Sequence, residues 1–163
     1  ALYHAATTVL APLDNVQESF LRHRGVFTLD AFLVFKLAPL STRRDIAMLE
    51  VLYRALLLEG PVQLQHFFYR AAAERNTTRF SLRRHAQPLQ EYRAGQFLEV
   101  VRRSALGLVS VYNLLPAELV CHTTVKDFQS SLQDYVRWRA ESGFEDWADT
   151  LSPRIPLWRH PLR

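Results

Sequence analysis

The sequence holds a single cysteine, Cys121, which excludes an internal disulfide. It has only five glycines and no Asn-Gly or Asp-Gly pair, the dipeptides that favour two-residue β-hairpins. No apolar run reaches the ~20 residues that a membrane-spanning helix needs. These absences argue against a disulfide-rich secreted domain, a hairpin-rich β-protein and an integral membrane protein.

Sequence motifs for catalysis are also missing. The six histidines are scattered without metal-ligand spacing, and no glycine-rich phosphate loop occurs. Cys121 and His122 are adjacent, but neighbouring side chains rarely face each other as a nucleophile and a base must. Glu145, Asp146 and Asp149 lie together, as acids at the start of a helix commonly do. We therefore expect no catalytic residue, no metal site and no cofactor.

The positive charge has an unusual composition and placement. Of the 20 basic residues 18 are arginine, and the net charge is +4. Residues 70–103 contain eight arginines and three glutamates, so this segment carries +5 and accounts for the whole excess. Arginine binds phosphate in a bidentate manner and stacks on bases, which lysine does not do. Clustered arginine is typical of a surface that binds nucleic acid.

The candidate contacts to RNA or DNA are the arginines of this cluster and two at the start of a predicted helix, where free backbone amides also favour phosphate. They are Arg43, Arg44, Arg70, Arg75, Arg79, Arg83, Arg84, Arg93, Arg102 and Arg103.

The length of 163 residues suits one domain, and apolar residues recur at three- and four-residue spacing, which predicts an all-α fold. We expect an irregular bundle of about five to seven helices. One helix starts near Pro12 and stops at Gly25, a second with a broad apolar face runs over 42–58, and a third over 62–74. The apolar face of the first includes Leu13, Val16, Phe20 and Leu21.

The second half of the chain begins with a basic loop over 75–95. Residues 106–115 are a buried helix or, because they are rich in β-branched and aromatic residues, a strand. Thr124 and Asp127 resemble a capping box at the start of the next helix. We expect a helical domain over 1–151 and a Pro-rich tail over 152–163, which either docks through Leu157 and Trp158 or stays loose.

Four segments with weak individual motifs follow one another along the chain. They are 13–22 (LDNVQESFLR), 43–54 (RRDIAMLEVLYR, with Gly60-Pro61 after it), 102–116 (RRSALGLVSVYNLLP) and 124–132 (TVKDFQSSL). In order and spacing they resemble the region downstream of the polymerase core in LINE-type, or non-LTR, retrotransposon reverse transcriptases. The resemblance covers roughly residues 10–140.

This resemblance implies a tail region that helps to hold template RNA or target DNA. The parent family is an RNA-directed DNA polymerase, but the Tyr-x-Asp-Asp that binds the polymerase metals is absent here, as are the endonuclease residues and a Cys/His knuckle. Tyr112 stands where many relatives have tryptophan. The resemblance therefore implies a part that is not catalytic alone.

Two hypotheses follow. The first is a non-catalytic helical domain that binds the RNA or DNA backbone through an Arg-rich surface. The second is a retroelement-derived structural or adaptor subunit, whose apolar faces and Trp138, Trp147 and Trp158 contact protein subunits of a larger complex. For either we expect an intracellular location, in the nucleus, the cytoplasm or an organelle, and no membrane insertion. Because residue 1 is Ala, we expect a fragment or a processed chain.

Overall fold

The computed structural model describes residues 3, 5–71, 85–91 and 98–163. Within these residues the fold is all-α, which confirms the predicted fold class, and no β-strand is present. Extended pairing in this part of the chain consists of one antiparallel bridge between Arg70 and Leu89.

Eight α-helices form the described fold, and two of them are single turns of four residues. They are α1 (Thr7–His23), α2 (Thr28–Leu33), α3 (Leu40–Leu56), α4 (Val62–Gln65), α5 (Leu98–Arg102), α6 (Leu108–Leu114), α7 (Ala117–Val120) and α8 (Val125–Glu141). Shorter 3₁₀ turns cover Ala105–Gly107, Trp147–Asp149 and Leu157–Arg159.

Helices α3 and α8 form the centre of the core. The ring of Tyr53 on α3 stacks on the ring of Phe128 on α8, with 3.9 Å between the ring centroids. The Tyr53 hydroxyl donates to the carbonyl of His122 at 2.5 Å, so this buried polar group has a partner and ties the α7–α8 turn to α3. Side chains at most 1% exposed fill the surrounding core: Leu49, Leu52, Leu108, Val109, Val111, Tyr112, Leu132 and Val136.

The start of α8 is fixed by the predicted cap. The Thr124 hydroxyl oxygen accepts a hydrogen bond from the backbone N–H of Asp127 at 3.1 Å. The carboxylate of Asp127 accepts a hydrogen bond from the same hydroxyl at 2.7 Å. An N-cap of this kind stabilises a helix by about 1 kcal/mol.

Each of three long helices is followed by a residue in the left-handed conformation. Gly25 (φ 65°) follows α1, Leu58 (φ 61°) follows α3 and Gly143 (φ 79°) follows α8. In each case the next residue donates its N–H back across the last turn, the Schellman pattern. The bonds are Val26 to Leu21 (3.0 Å), Glu59 to Arg54 (3.0 Å) and Phe144 to Arg139 (3.2 Å). Leu58 carries a Cβ in this conformation, which costs roughly 1–2 kcal/mol.

The predicted helix over 62–74 is confirmed only in its first turn: α4 ends at Gln65, and residues 66–71 are not helical. Residues 72–74 lie outside the described residues. The apolar spacing of the predicted helix is helical, but the residues that follow α4 pair with a distant segment instead, at the bridge between Arg70 and Leu89. The flanking bonds are Ala71 N–H to Pro88 C=O (2.8 Å) and Gln90 N–H to Tyr69 C=O (3.1 Å). Long-range backbone pairing therefore overrides the local pattern.

Residues 106–115 are helical and buried, so the alternative of a strand is wrong. The side chain of Asn113 on helix α6 nevertheless binds the extended segment that contains Leu89. The Asn113 carboxamide accepts the N–H of Leu89 at 2.7 Å and donates to the carbonyl of the same residue at 2.9 Å. Asn113 thus gives Leu89 the two backbone partners that a neighbouring strand would supply.

The segment after 151 packs against the rest of the fold, but not through the predicted residues. Leu157 and Trp158 are exposed, whereas Leu162 is 1% exposed and belongs to the main core. The buried His160 ring contacts the Ser152 carbonyl at 3.1 Å, which folds the segment back on itself. The spacing of three prolines in this segment does not indicate which apolar side chain points inward.

Helix α1 lies at the edge of the fold. It begins at Thr7, so Pro12 is inside the helix and not in its first turn as the sequence predicts. Of the predicted apolar face only Leu21 is buried, and Leu10 is the other buried residue of the helix. An apolar stripe at spacings of four, three and four residues stays exposed: Val9, Leu13, Val16 and Phe20.

Candidate nucleic-acid interface

Half of the arginines predicted to bind nucleic acid can be located. Arg75, Arg79, Arg83, Arg84 and Arg93 lie outside the described residues. The other five fall in two groups. Arg43 and Arg44 lie near the start of α3, and Arg70, Arg102 and Arg103 lie at either end of the basic segment 70–103.

Arg43 and Arg44 have different surroundings although they are adjacent. The guanidinium of half-buried Arg44 donates two hydrogen bonds of 2.8 Å to the two carboxylate oxygens of Asp14 on α1. Arg44 is therefore a structural tie between two helices, and its charge is compensated. Arg43 is exposed and forms no ion pair with a described residue, so its charge faces solvent.

The arginines of the basic segment 70–103 differ in the same way. Exposed Arg70 donates to the side-chain oxygen of Gln87 at 3.2 Å, and Arg103 donates to the backbone carbonyl of Glu99 at 3.2 Å. Both partners are neutral. Arg102 instead forms an ion pair of 2.8 Å with the Glu99 carboxylate. The positive charges of Arg70 and Arg103 are thus not cancelled by an acid of the described chain.

A cleft of about 640 Å³ opens between α2, the start of α3 and α8. We name it the α2–α3–α8 cleft. It is lined by Phe32, Lys36, Ala38, Leu40, Thr42, Arg43, Arg44, Ile46, Ala47, Gln129, Gln133, Asp134, Val136 and Arg137. Its volume lies in the range of small-molecule sites, roughly 300–1,000 Å³.

Four cations line this cleft, and two of them are already engaged. Arg44 binds Asp14, and Arg137 binds Glu141 at 2.8 Å. Exposed Lys36 and Arg43 form no ion pair with any residue of the described chain. Asp134 is the acid in the lining. The mouth of the cleft is therefore mildly positive, and α3 starts there without a side-chain cap or an acid in its first turn.

The sequence predicted Arg43 and Arg44 but not the cleft. Its α8 wall presents Gln129, Gln133 and Arg137, which are spaced four residues apart and so share one helix face. This repeat of polar residues is the one feature of the sequence that could have indicated the α8 wall of the cleft. The sequence does not show that α2 and the turn carrying Lys36 pack opposite it, because that depends on the long-range contact of α2 with α8.

A buried acid lies on the opposite side of the α3 start. Asp45 accepts a hydrogen bond of 3.1 Å from the hydroxyl of Tyr3, and both residues are buried. Burial raises the pKa of the Asp45 carboxyl to about 7, although the hydrogen bond from Tyr3 opposes this shift. Burial, with the nearby Asp45 charge, also raises the pKa of the Tyr3 phenol. Near neutral pH this carboxyl titrates between its neutral and charged forms.

The residues that could suggest catalysis have other partners in the fold. The Cys121 thiol is exposed and donates to the Glu118 carbonyl, while His122 contributes its own carbonyl to Tyr53. Asp146 forms an ion pair of 2.6 Å with the buried Arg139. Across residues 3, 5–71, 85–91 and 98–163, no group of three or more His, Cys, Asp or Glu side chains could hold a metal ion.

Two further findings concern partners and relatives. None of the helices in the described part of the chain has the length and apolar character needed to cross a membrane. Comparison with protein-family models, with curated proteins and with solved structures finds no match to this chain.

Proposed function

We propose that this chain is a non-catalytic helical domain that binds the backbone of RNA or DNA through an Arg-rich surface. The observation that carries the proposal is the concentration of charge: residues 70–103 bear +5 in a chain of net charge +4. Among the located arginines of this segment, Arg70 and Arg103 bind neutral groups and keep their charge available for phosphate.

The proposed origin is the region downstream of the polymerase core in a LINE-type reverse transcriptase. The motif residues that support this origin are mostly packing residues. Asp14 and Arg44 join α1 to α3, Tyr53 joins α3 to the α7–α8 turn, and Asn113 holds Leu89. Such residues suit a scaffold that presents charge, and no catalytic role is assigned to any of them.

The test is the salt dependence of binding. With three to five phosphate contacts, the affinity for a 20-base-pair duplex falls about 40- to 500-fold between 50 and 200 mM salt. Fluorescence anisotropy with labelled duplex DNA and with single-stranded RNA gives this slope. Equal affinity at both salt concentrations, or no binding to either polymer, would contradict the proposal.

Matched charge variants test which surface is used. The pair Arg70→Ala and Arg103→Ala, and separately Arg83→Ala and Arg84→Ala, are expected to weaken binding. Each arginine that binds a phosphate should lower the salt slope by about one when it is replaced. The control is Arg22→Ala with Arg24→Ala, which removes the same charge from the exposed end of α1. An equal decrease in the control would mean that binding follows net charge alone.

A second function is favoured by a separate observation. The exposed stripe Val9, Leu13, Val16 and Phe20 on α1 suits contact with another protein, in a retroelement-derived structural or adaptor subunit. Trp138 and Trp158 are also more than half exposed. If this function holds, Val16→Glu with Phe20→Glu abolishes co-purification of a fixed partner or self-association seen by light scattering. The same variant would leave oligonucleotide binding unchanged.

A further inference from the structure

The α2–α3–α8 cleft combines features that suit one nucleotide. Its volume of about 640 Å³ is within the range of sites that enclose most of a small organic ligand. One part of its lining is apolar and accessible, formed by Phe32, Leu40 and Ala47. Phe32 is held in place by stacking on Trp147 at a centroid distance of 4.9 Å, so this wall is rigid. A flat aromatic ligand can bury its face against such a wall.

Two amides lie beside the apolar wall. Gln129 and Gln133 are one turn apart on α8, and neither side chain hydrogen-bonds to a described residue. A carboxamide offers both a donor and an acceptor, which matches the polar edge of a nucleobase. Asp134, also in the lining, can accept a hydrogen bond from a sugar hydroxyl.

The cations without an acidic partner lie on the same cleft. Lys36 and Arg43 are exposed, and an anion there meets two charges that no described acid compensates. Lys36 also has a φ of 56°, a conformation in which glycine is favoured. A lysine held in a conformation that costs roughly 1–2 kcal/mol is the kind of strain that recurs at binding sites.

We infer that the α2–α3–α8 cleft holds a single phosphorylated nucleoside, with the phosphate at Lys36 and Arg43 and the base between the apolar wall and the two glutamine amides. The ligand has two possible sources. If it is a nucleotide within a bound strand, the inference rests on the proposed function. The other source is a free nucleotide, and the chemistry of recognition is the same for both.

The experiment compares three cleft variants with one control. Lys36→Gly removes a cleft cation while suiting the positive φ, so the fold is retained or stabilised. Arg43→Ala removes the other cation, and Gln133→Ala removes an amide without changing charge. Arg22→Ala is the control, since it removes one exposed charge from α1. The probes are a labelled single-stranded 12-mer, measured by anisotropy, and adenosine monophosphate, measured by calorimetry or NMR titration.

Removal of one phosphate-binding cation lowers the salt slope by about one, which corresponds to a roughly three- to tenfold weaker affinity at 100 mM salt. We expect this decrease for Lys36→Gly and Arg43→Ala, less than a twofold change for Arg22→Ala, and weaker binding with an unchanged slope for Gln133→Ala. A strand nucleotide is indicated if the 12-mer shows these decreases, and a free nucleotide if only adenosine monophosphate does.

The two probes show separately whether the proposed function or the cleft inference fails. If the 12-mer binds but all three cleft variants behave like Arg22→Ala with both probes, the cleft inference is overturned and the proposed function stands. If no polymer binds but adenosine monophosphate does, with the decreases above, the proposed function fails and the cleft inference stands. If neither probe binds, both are wrong.

Discussion

Helices α1 and α3 each have 17 residues, yet α3 buries seven of them and α1 buries two. Both have apolar residues at helical spacing, so the local pattern does not explain the difference. Helix α3 packs against α8, α6, α4 and α1, whereas the main neighbours of α1 among the described helices are α2 and α3. An amphipathic pattern therefore predicts which face of a helix is apolar, but not which element covers that face.

Truncation of one leucine in each helix gives the largest expected contrast. Leu49 of α3 is fully buried, so Leu49→Ala loses its transfer free energy and leaves a cavity, which costs about 3 kcal/mol or more. Leu13 of α1 is 44% exposed, and Leu13→Ala is expected to cost under about 1 kcal/mol. Urea unfolding measures both changes. Equal destabilisation would mean that the α1 stripe is covered in solution.

The next contrast is the pH dependence of the contact between α3 and the segment before α1. The pKa of Asp45 is about 7 in the folded chain and 3.8 ordinarily, so folding favours its protonated form. Below pH 4 the carboxyl therefore does not lower the free energy of unfolding. As the pH rises from 4 towards 7 it lowers this free energy progressively, and above pH 7 the reduction stays constant. Asp45→Asn removes this slope.

Since one pKa unit corresponds to 1.36 kcal/mol, we expect Asp45→Asn to gain about 2 kcal/mol or more relative to the wild type between pH 4 and 8. The measurement is the free energy of unfolding of both proteins across this range. Their difference removes the effect of His85, whose pKa is lowered by burial and which acts in the opposite direction. Parallel curves for the two proteins would exclude a raised Asp45 pKa.

A smaller effect is expected for the ion pair that joins the two helices. Asp14 and Arg44 are both partly buried and bidentate, so a double-mutant cycle with Asp14→Ala and Arg44→Ala should give a coupling of about 1 kcal/mol. The control cycle is the exposed pair Glu50 and Arg54 within α3, for which about 0.3–0.5 kcal/mol is expected. If the two couplings are equal, the pair between the helices contributes no more than a surface pair.

The smallest effect concerns the residues at which the two helices end. Gly25 after α1 and Leu58 after α3 have nearly the same positive φ. Gly25→Ala should destabilise by about 1 kcal/mol for conformational reasons alone, since no atom lies within 4 Å of the added Cβ. Leu58→Gly should stabilise the fold by about 0.5 kcal/mol, because Leu58 is 72% exposed and loses little packing. Relief of the strain at positive φ then exceeds the additional chain entropy that a glycine loses on folding. Thermal unfolding measures both signs, and destabilisation by Leu58→Gly would show that its side chain packs.

Features set by local chemistry were predictable from the sequence. The periodicity of α3, the cap of α8 at Thr124 and the stop at Gly25 depend on residues within one or two turns. Features set by distant partners were not. Arg44 is paired because Asp14 packs opposite it, and the helix after Pro61 stops early because the Leu89 segment pairs there.

The candidate site divides in the same way. Arg43 was predicted from its place at a helix start, which is a local property. Lys36 and Gln133 were missed because the cleft exists only where α2 packs against α8. The five arginines outside the described residues remain predictions, and the variants Arg83→Ala and Arg84→Ala test two of them.

The contacts of Arg154 have a consequence for the order of events during folding. Its guanidinium donates to the carbonyls of Tyr3 at 2.7 Å and Ala5 at 3.3 Å, across about 150 intervening residues. Contacts so distant in sequence close a loop of about 150 residues and form slowly. During ribosomal synthesis the residues just before α1 leave the exit tunnel long before Arg154 does. The residues just before α1 therefore gain this partner only after Arg154 has been synthesised.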